Sequence, residues 1–461
     1  MSALWTSEEI AAATGGRATG SFEVSGVTFD SREVETGDLF VAMPGTVHDG
    51  HLFVEGAFAS GAAGAIVSRP VNGPHILVED TFAALQALGR ASRARSRATI
   101  LGVTGSVGKT STKEALYAAL DRNRPGKVHR SVKSYNNHTG VPLSLSRMPR
   151  ECEFAVFEMG MNNRGEIRAL TAQVRPHLAL ITAIAPAHIE NLGSEEAIAD
   201  AKAEIFEGLE PGGVAIVPND TPYRDRLVKA ARRYAERIIT FGSGDADVHA
   251  IHAVGVEGGG SLIGAGLLER ELTFTISQPG EHWVSNSLAV LAAVEAVGAD
   301  VALAGLALAD LGGLKGRGER HVIHVEAGEA LLIDESYNAN PASMAATLKS
   351  LGRESSALRR IAVLGPMREL GEHGPALHAG LAPAILSARV DHLILIGEEM
   401  LPLGEALSGQ VHLSRTDSVD EATDILRTLV RPGDAVLVKA SNSVGLSKLV
   451  ESMAKEPACS T

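Results

Sequence analysis

A chain of 461 residues with 45% apolar side chains exceeds what one hydrophobic core supports, and a prior of about 150 residues per domain gives about three domains. A net charge of −13 without a long basic run counts against nucleic acid or an anionic membrane surface as the main partner. The two cysteines, Cys152 and Cys459, have neither metal-ligand spacing nor a disulfide framework, which fits a reducing cytoplasm.

At the N-terminus, Glu8 and Glu9 stand where an export signal needs positive and then apolar residues, so no export peptide is expected. From Ser21 to Arg69 short β-like runs alternate with turn residues, as in a small α/β domain. Two of its loops concentrate polar groups, Thr28, Asp30, Ser31 and Arg32 in one and His48, Asp49, Gly50 and His51 in the other. Such loops either face solvent or bind a polar ligand. Asp80 to Arg97 reads as a helix leading into the next domain.

The stretch ATILGVTGSVGKTST, Ala98 to Thr112, begins as a buried parallel strand and breaks into glycines before a helix. In that order the amides of Gly105, Ser106, Val107 and Gly108 can face an anion, Lys109 can reach outer phosphates, and the Thr110 hydroxyl can ligate Mg²⁺. The pattern predicts a nucleoside triphosphate cradle. The general motif's first glycine is replaced by Val103, with Gly102 one residue earlier, a departure that points to a particular subfamily.

Further along, Asn136 and Asn137 precede a Gly-Val-Pro break and are either ligand readers or turn residues. The strand Cys152 to Phe157 delivers Glu158 at its carboxyl end, where a carboxylate either holds Mg²⁺ or merely caps a strand at the surface. A second buried strand ends near Ala185, a loop carries His188 and Glu190, and Ser194 announces a helix. Lys202 flanks that helix's apolar face, so its stem should be partly covered. It either snorkels to water or is modified; a carbamate formed with CO₂ would turn it into an oxygen ligand, and desolvation favours the reactive amine.

Strands and a basic helix follow over Val214 to Gly244, then β-like segments from Val248 to Ile276, with Asn286 near a helix start. Ser287 to Leu314 is rich in Ala and Leu, but Glu295, Asp300 and Asp310 interrupt it, so two packed helices are expected rather than a membrane span. A boundary falls near Leu314, in the glycine-rich, charged run GLKGRGERHVI. Apolar strands at Leu331–Ile333, Ile361–Leu364, His392–Ile396 and Ala435–Val438 then alternate with helical stretches, as in a parallel sheet wrapped by helices.

TGSVGKTS, NNHTGVP, FEMG and PAHIENLG followed by AKAEIF together resemble the Mur ligase family of peptidoglycan synthesis, over essentially the whole chain. The resemblance implies an α/β protein of three domains. These are a small uridine-nucleotide-binding domain over 1–85, a central phosphate-loop ATPase domain with a mostly parallel sheet over 98–312, and a Rossmann-like domain over 313–461. It implies ATP contacts at Thr104, Gly105, Ser106, Val107, Gly108, Lys109, Thr110, Ser111, Asn286, Arg317 and Asp334. Two Mg²⁺ ions would be held through Thr110, Glu158, His188 and a carbamylated Lys202, with Lys109, Glu158, His188 and Lys202 as the catalytic set. Asp30, Ser31, Arg32, Asn136, Asn137, Asn338 and Asn340 would serve the UDP-sugar peptide.

YNANP, LGPMRELGE and KASNSVGLSKL resemble the branch that adds D-alanyl-D-alanine to a UDP-N-acetylmuramoyl-tripeptide, and the Asp-Asn-Pro-Arg motif of the branch adding the third residue is absent. Pro366 and Arg368 depart from that branch's usual residues. A third-residue-adding sister or a folylpolyglutamate-type ligase is the alternative. The expectation is thus a monomeric cytoplasmic ligase that uses ATP and Mg²⁺, without nucleic acid or membrane insertion.

Overall fold

Five of the six residues of strand Thr99–Thr104 are buried, and this strand is the axis of the largest sheet. In the computed structural model, which describes residues 3–45, 49–187, 189–256, 260–326 and 328–455, that sheet has nine strands. Strand Thr99–Thr104 lies between Leu178–Ile181 and Phe154–Glu158, all parallel. The chain leaves it through helix Lys109–Asn123 to the edge strand Val128–Arg130, then returns to Phe154–Glu158 beside it. Later strands add on the other side, so the sheet reverses its build direction at Thr99–Thr104 and opens a crevice at the carboxyl ends. The segments from Val248 to Ile276 form strands Val248–Gly255, Ser261–Gly266 and Glu271–Ile276, the last two added antiparallel.

Apolar residues cover both faces. On one, Leu101 and Val103 pack with Leu116, Leu120 and the helices Glu281–Ala296 and Val301–Ala309; on the other, Ile100 and Phe157 pack with Ile167, Ile198 and Phe206. The Ala- and Leu-rich stretch is therefore two packed helices. Among the described residues no helix is long and apolar enough to cross a membrane.

The N-terminal segment forms a five-stranded sheet ordered Arg17–Ala18, His75–Leu77, Gly64–Val67, Asp38–Val41, Gly26–Thr28, parallel except for the first pair. Helix Thr81–Arg95, capped by Asp80, joins it to the central sheet. The Arg95 guanidinium lies 3.4 Å over the Trp5 ring, and Trp5 Nε1 donates to the Ser146 carbonyl at 2.9 Å, fastening the two parts.

The C-terminal sheet is ordered Glu319–Val325, Gly328–Glu335, Asp434–Lys439, Arg359–Leu364, His392–Ile396, His412–Thr416. The four strands expected from sequence form its parallel interior. Two edge strands were not expected: Glu319–Val325, in which only Ile323 is buried, and His412–Thr416, in which only Thr416 is. An edge strand facing solvent needs little apolar pattern, so periodicity does not reveal it.

Candidate active site

The turn after Thr104 bends the backbone onto the central crevice. Gly105 has φ +155° and Gly108, at the start of helix Lys109–Asn123, has φ +81°. A Cβ at Gly105 would lie 1.9 Å from the Thr182 hydroxyl oxygen, and one at Gly108 would lie 2.9 Å from Asn286 Oδ1. Any side chain there would fill the cradle, so both positions require glycine. Not all the expected amides are free: the Ser106 amide donates to the Ala183 carbonyl at 2.8 Å, and the Ser106 hydroxyl donates to the Ala185 carbonyl at 2.9 Å. Ser106 pins the turn to the neighbouring strand's loop, and the expectation that its amide faces an anion is corrected accordingly.

Lys109 Nζ donates to the Gly105 carbonyl at 2.8 Å. Burial pushes its ammonium below the ordinary lysine value; Glu158 opposes that shift and Arg317 adds to it. The Thr110 hydroxyl donates to Glu158 Oε2 at 2.9 Å, and Asn136 Nδ2 donates to Glu158 Oε1 at 2.7 Å. Glu158 is 1% exposed, and sheet register puts it opposite Val103, two residues before Gly105. A strand-end carboxylate and a helix-start hydroxyl thus share one point, the pair of oxygens a hard divalent cation takes.

Lys202, expected to be partly covered, is 1% exposed, because helix Glu195–Ala203 runs into the short helix Glu204–Gly208 under the sheet. Among the described residues its Nζ has no hydrogen-bond or ion-pair partner. Burial, with the charge of Lys109 second, holds its pKa well below the usual value. The helix starts where predicted, with Ser194 accepting from the Ala197 amide at 3.2 Å. His188 lies outside the described residues.

A cavity of about 400 Å³ opens between the central and C-terminal sheets, lined by Val107, Lys109, Ser111, Thr182 and Asn286 on one side and Arg317, Tyr337, Asn338 and Lys439 on the other. Asn286 sits inside helix Glu281–Ala296, whose first residue follows Gly280, so it is not a cap and its amide faces the cradle. The Arg317 guanidinium stacks 4.4 Å over the Tyr337 ring. Asp334 is buried beneath this wall, accepting from the Gly316 amide at 2.9 Å and the Ser336 amide at 3.0 Å. It holds the turn that presents Arg317 and does not line the cavity.

The remaining predicted residues separate. Asn137 Oδ1 accepts from the Thr139 and Gly140 amides at 3.2 and 3.0 Å, a turn role, whereas its neighbour Asn136 reaches Glu158. Asn338 and Asn340, grouped by sequence with the sugar-binding residues, line the cavity between the central and C-terminal sheets instead. Asn340 also caps helix Pro341–Gly352 through the Ser343 amide at 2.9 Å. Replacing it with alanine is expected to lower stability by about 1 kcal/mol, read as a lower denaturant midpoint at unchanged slope. Asp30, Ser31 and Arg32 lie on the N-terminal sheet's loop, away from the cavity, with Asp30 accepting from Arg32 Nη2 at 2.6 Å. In the second polar loop, His48 lies outside the described residues; Asp49 accepts from His51 Nδ1 at 2.7 Å, while His51 Nε2 accepts the Ser68 amide at 2.9 Å.

Sequence reasoning missed Lys439, which is 2% exposed at the end of strand Asp434–Lys439 and donates to the Asn338 carbonyl at 2.8 Å. Its place at a strand end is visible in the sequence, but the groups that receive its ammonium are not. Glu319, His321 and Asp334 also converge closely enough to meet at one cation, on the paired strands Glu319–Val325 and Gly328–Glu335 of the C-terminal sheet.

A glycine-lined turn with its lysine, a buried carboxylate beside the helix-start hydroxyl, and a second α/β lobe closing the cavity define a nucleotide-using phosphoryl-transfer enzyme. Models of the Mur ligase family match three parts of the chain: its catalytic domain over residues 23–118, its middle domain over 103–294, and its glutamate ligase domain over 316–442. A UDP-N-acetylmuramoyl-tripeptide–D-alanyl-D-alanine ligase of Synechocystis is 35% identical over 444 residues, 94% of this chain and 92% of that one. One of Bacillus subtilis is 34% identical, covering 94% of each. A crystal structure of MurF from Acinetobacter baumannii superposes with a TM-score of 0.84 at 30% identity, over 98% of this chain and 99% of that one. MurF of Thermotoga maritima, solved with ADP, gives 0.77 at 29% identity, over 94% of this chain and 98% of that one. The chain belongs to the Mur ligase family.

Proposed function

We infer that this protein is the ATP-dependent ligase that joins D-alanyl-D-alanine to UDP-N-acetylmuramoyl-tripeptide. The observation that carries this reading is similarity to such ligases along nearly the entire length of both chains, together with the Lys109, Thr110 and Glu158 cluster facing the cavity between the central and C-terminal sheets. The similarity extends into the C-terminal segment, where the branches of the family differ in the amine they accept.

A carboxylate is a poor electrophile, so the reaction runs in two steps. The tripeptide carboxylate attacks the γ-phosphorus, ADP leaves, and an acyl phosphate results. The amine of D-alanyl-D-alanine then attacks the acyl carbon and phosphate departs. Thr110 and Glu158 have the oxygens to hold Mg²⁺, and Lys202 as a carbamate, with His188, would hold a second ion. When bound, Mg²⁺ offsets charge on the phosphate oxygens. Lys109 and the glycine turn align the phosphates, Asn286 and Arg317 flank the nucleotide, and Asp334 fixes the turn that carries Arg317. The wall bearing Tyr337, Asn338 and Lys439 keeps water from the acyl phosphate. Asp30, Ser31 and Arg32 serve the uridine end of the tripeptide substrate.

Phosphate release with UDP-N-acetylmuramoyl-tripeptide tests the reading. D-alanyl-D-alanine is expected to drive release, whereas diaminopimelate and glutamate are not. Release driven instead by diaminopimelate on the dipeptide substrate would transfer the protein to the sister branch.

A further inference from the structure

Lys113 lies one turn beyond Lys109 on helix Lys109–Asn123, does not line the cavity, and is fully buried. Its ammonium gives hydrogen bonds to two backbone carbonyls and has a carboxylate beside it. Nζ donates to the Ser131 carbonyl at 3.3 Å and, more closely, to the Lys133 carbonyl, and it pairs with Glu114 Oε1 at 2.9 Å. The other Glu114 oxygen takes Arg130 Nε at 2.9 Å, and the Arg130 guanidinium lies 3.6 Å over Tyr117. The network is closed, and it grips a single piece of backbone, residues 131–133, which has no regular secondary structure of its own.

That backbone leads directly to the candidate metal-holding groups. Ser131 Oγ accepts the Glu158 amide at 2.9 Å, the Ser134 hydroxyl is 3.4 Å from that of Thr110, and Asn136 Nδ2 donates to Glu158 Oε1. Lys133 sits at φ +48°, a conformation unfavourable for lysine that the two clamped carbonyls help impose. So oriented, Lys133 Nζ pairs with Glu33, next to the Asp30–Arg32 loop, and Tyr135 stacks on Phe29 at 5.7 Å.

We propose that Lys113 is a positioning residue: its buried ammonium fixes the segment 131–136, and through Ser131 and Asn136 that segment sets the Glu158 carboxylate beside Thr110. Lys113 does not touch the nucleotide; it acts on the phosphate site through the segment it holds. The same clamp fixes where Lys133 and Tyr135 meet the N-terminal sheet. This rests on the reading of the cradle as an Mg²⁺–ATP site but not on which amine is the acceptor.

The test is binding of a non-hydrolysable ATP analogue by the full-length protein, titrated with Mg²⁺. In Lys113→Met the Mg²⁺ concentration for half-maximal binding is expected to rise on the order of 10- to 100-fold, the usual effect of removing a group that orients a metal ligand. A residue needed only for folding would lower the melting temperature and leave the half-saturating Mg²⁺ of the folded fraction unchanged; that result overturns the proposal. If Lys113→Met does not fold, Ser131→Ala decides, since it removes only the acceptor of the Glu158 amide. A raised Mg²⁺ requirement in it supports the proposal, and an unchanged one overturns it. Because no acceptor amine enters the measurement, failure of D-alanyl-D-alanine to drive phosphate release would leave this result standing and overturn the acceptor assignment alone.

Discussion

Lys109→Ala is expected to reduce ATP-dependent phosphate release on the order of 10³-fold, with the folded protein retained. Among the described residues Lys109 contributes one internal hydrogen bond, to the Gly105 carbonyl, so its removal leaves the turn held by Ser106 and by the Thr182 hydroxyl, which donates to the Val107 carbonyl at 2.5 Å. Phosphoryl transfer, in contrast, depends on fixed positive charge beside oxygens that gain negative charge, and removing one such donor from a preorganised site costs about 10²–10³ in turnover. Of the cations on the far wall, Arg317 is stacked on Tyr337 and Lys439 is held by the Asn338 carbonyl, so neither takes the place of an ammonium at the turn. The loss should fall on kcat, because the glycine turn and Asn286 still hold the nucleotide. An undiminished rate in the coupled phosphate assay would remove the cradle from the mechanism.

The cradle was legible because its signal is local: glycines at Gly105 and Gly108 and a lysine next to them make sense only with positive φ and a close approach. Glu158 was legible because a strand's end in a parallel sheet is a known place for a ligand. The adjacent asparagines were not separable, since one residue's offset sends Asn136 to Glu158 and turns Asn137 into its own loop. Lys439 was hidden for another reason. It ends a strand in which every residue is buried, a setting that disfavours lysine unless distant groups receive it, and its acceptors come from Glu335 and Asn338 about 100 positions earlier in the chain. The same holds for Lys113, which in sequence is one residue of a helix that also carries Glu114. Its acceptors, the Ser131 and Lys133 carbonyls, are backbone atoms, and backbone atoms leave no trace in side-chain pattern.

Lys202 is as buried as Lys113 but, among the described residues, has no acceptor for its ammonium, and the second large effect is expected there. Lys202→Ala should lose activity by about 100-fold or more, and short carboxylic acids such as acetate should restore part of it. A buried ammonium without a counter-ion among the described residues, repelled in addition by Lys109, is costly. The lowered pKa means that the neutral amine is more abundant at a given pH than for an exposed lysine, and that form attacks CO₂. The nitrogen lone pair bonds to carbon, a proton leaves to solvent, and the product is a carbamate anion. This exchanges a positive charge beside Lys109 for a negative one, turning repulsion into attraction and supplying an oxygen donor where the ammonium had none. Alanine leaves room that a small carboxylate can fill with the same charge and donor atoms. Chloride at equal ionic strength carries the charge without the paired oxygens and should not rescue. Loss of activity with no rescue by any short acid would leave Lys202 as a buried amine and the second metal position without its ligand.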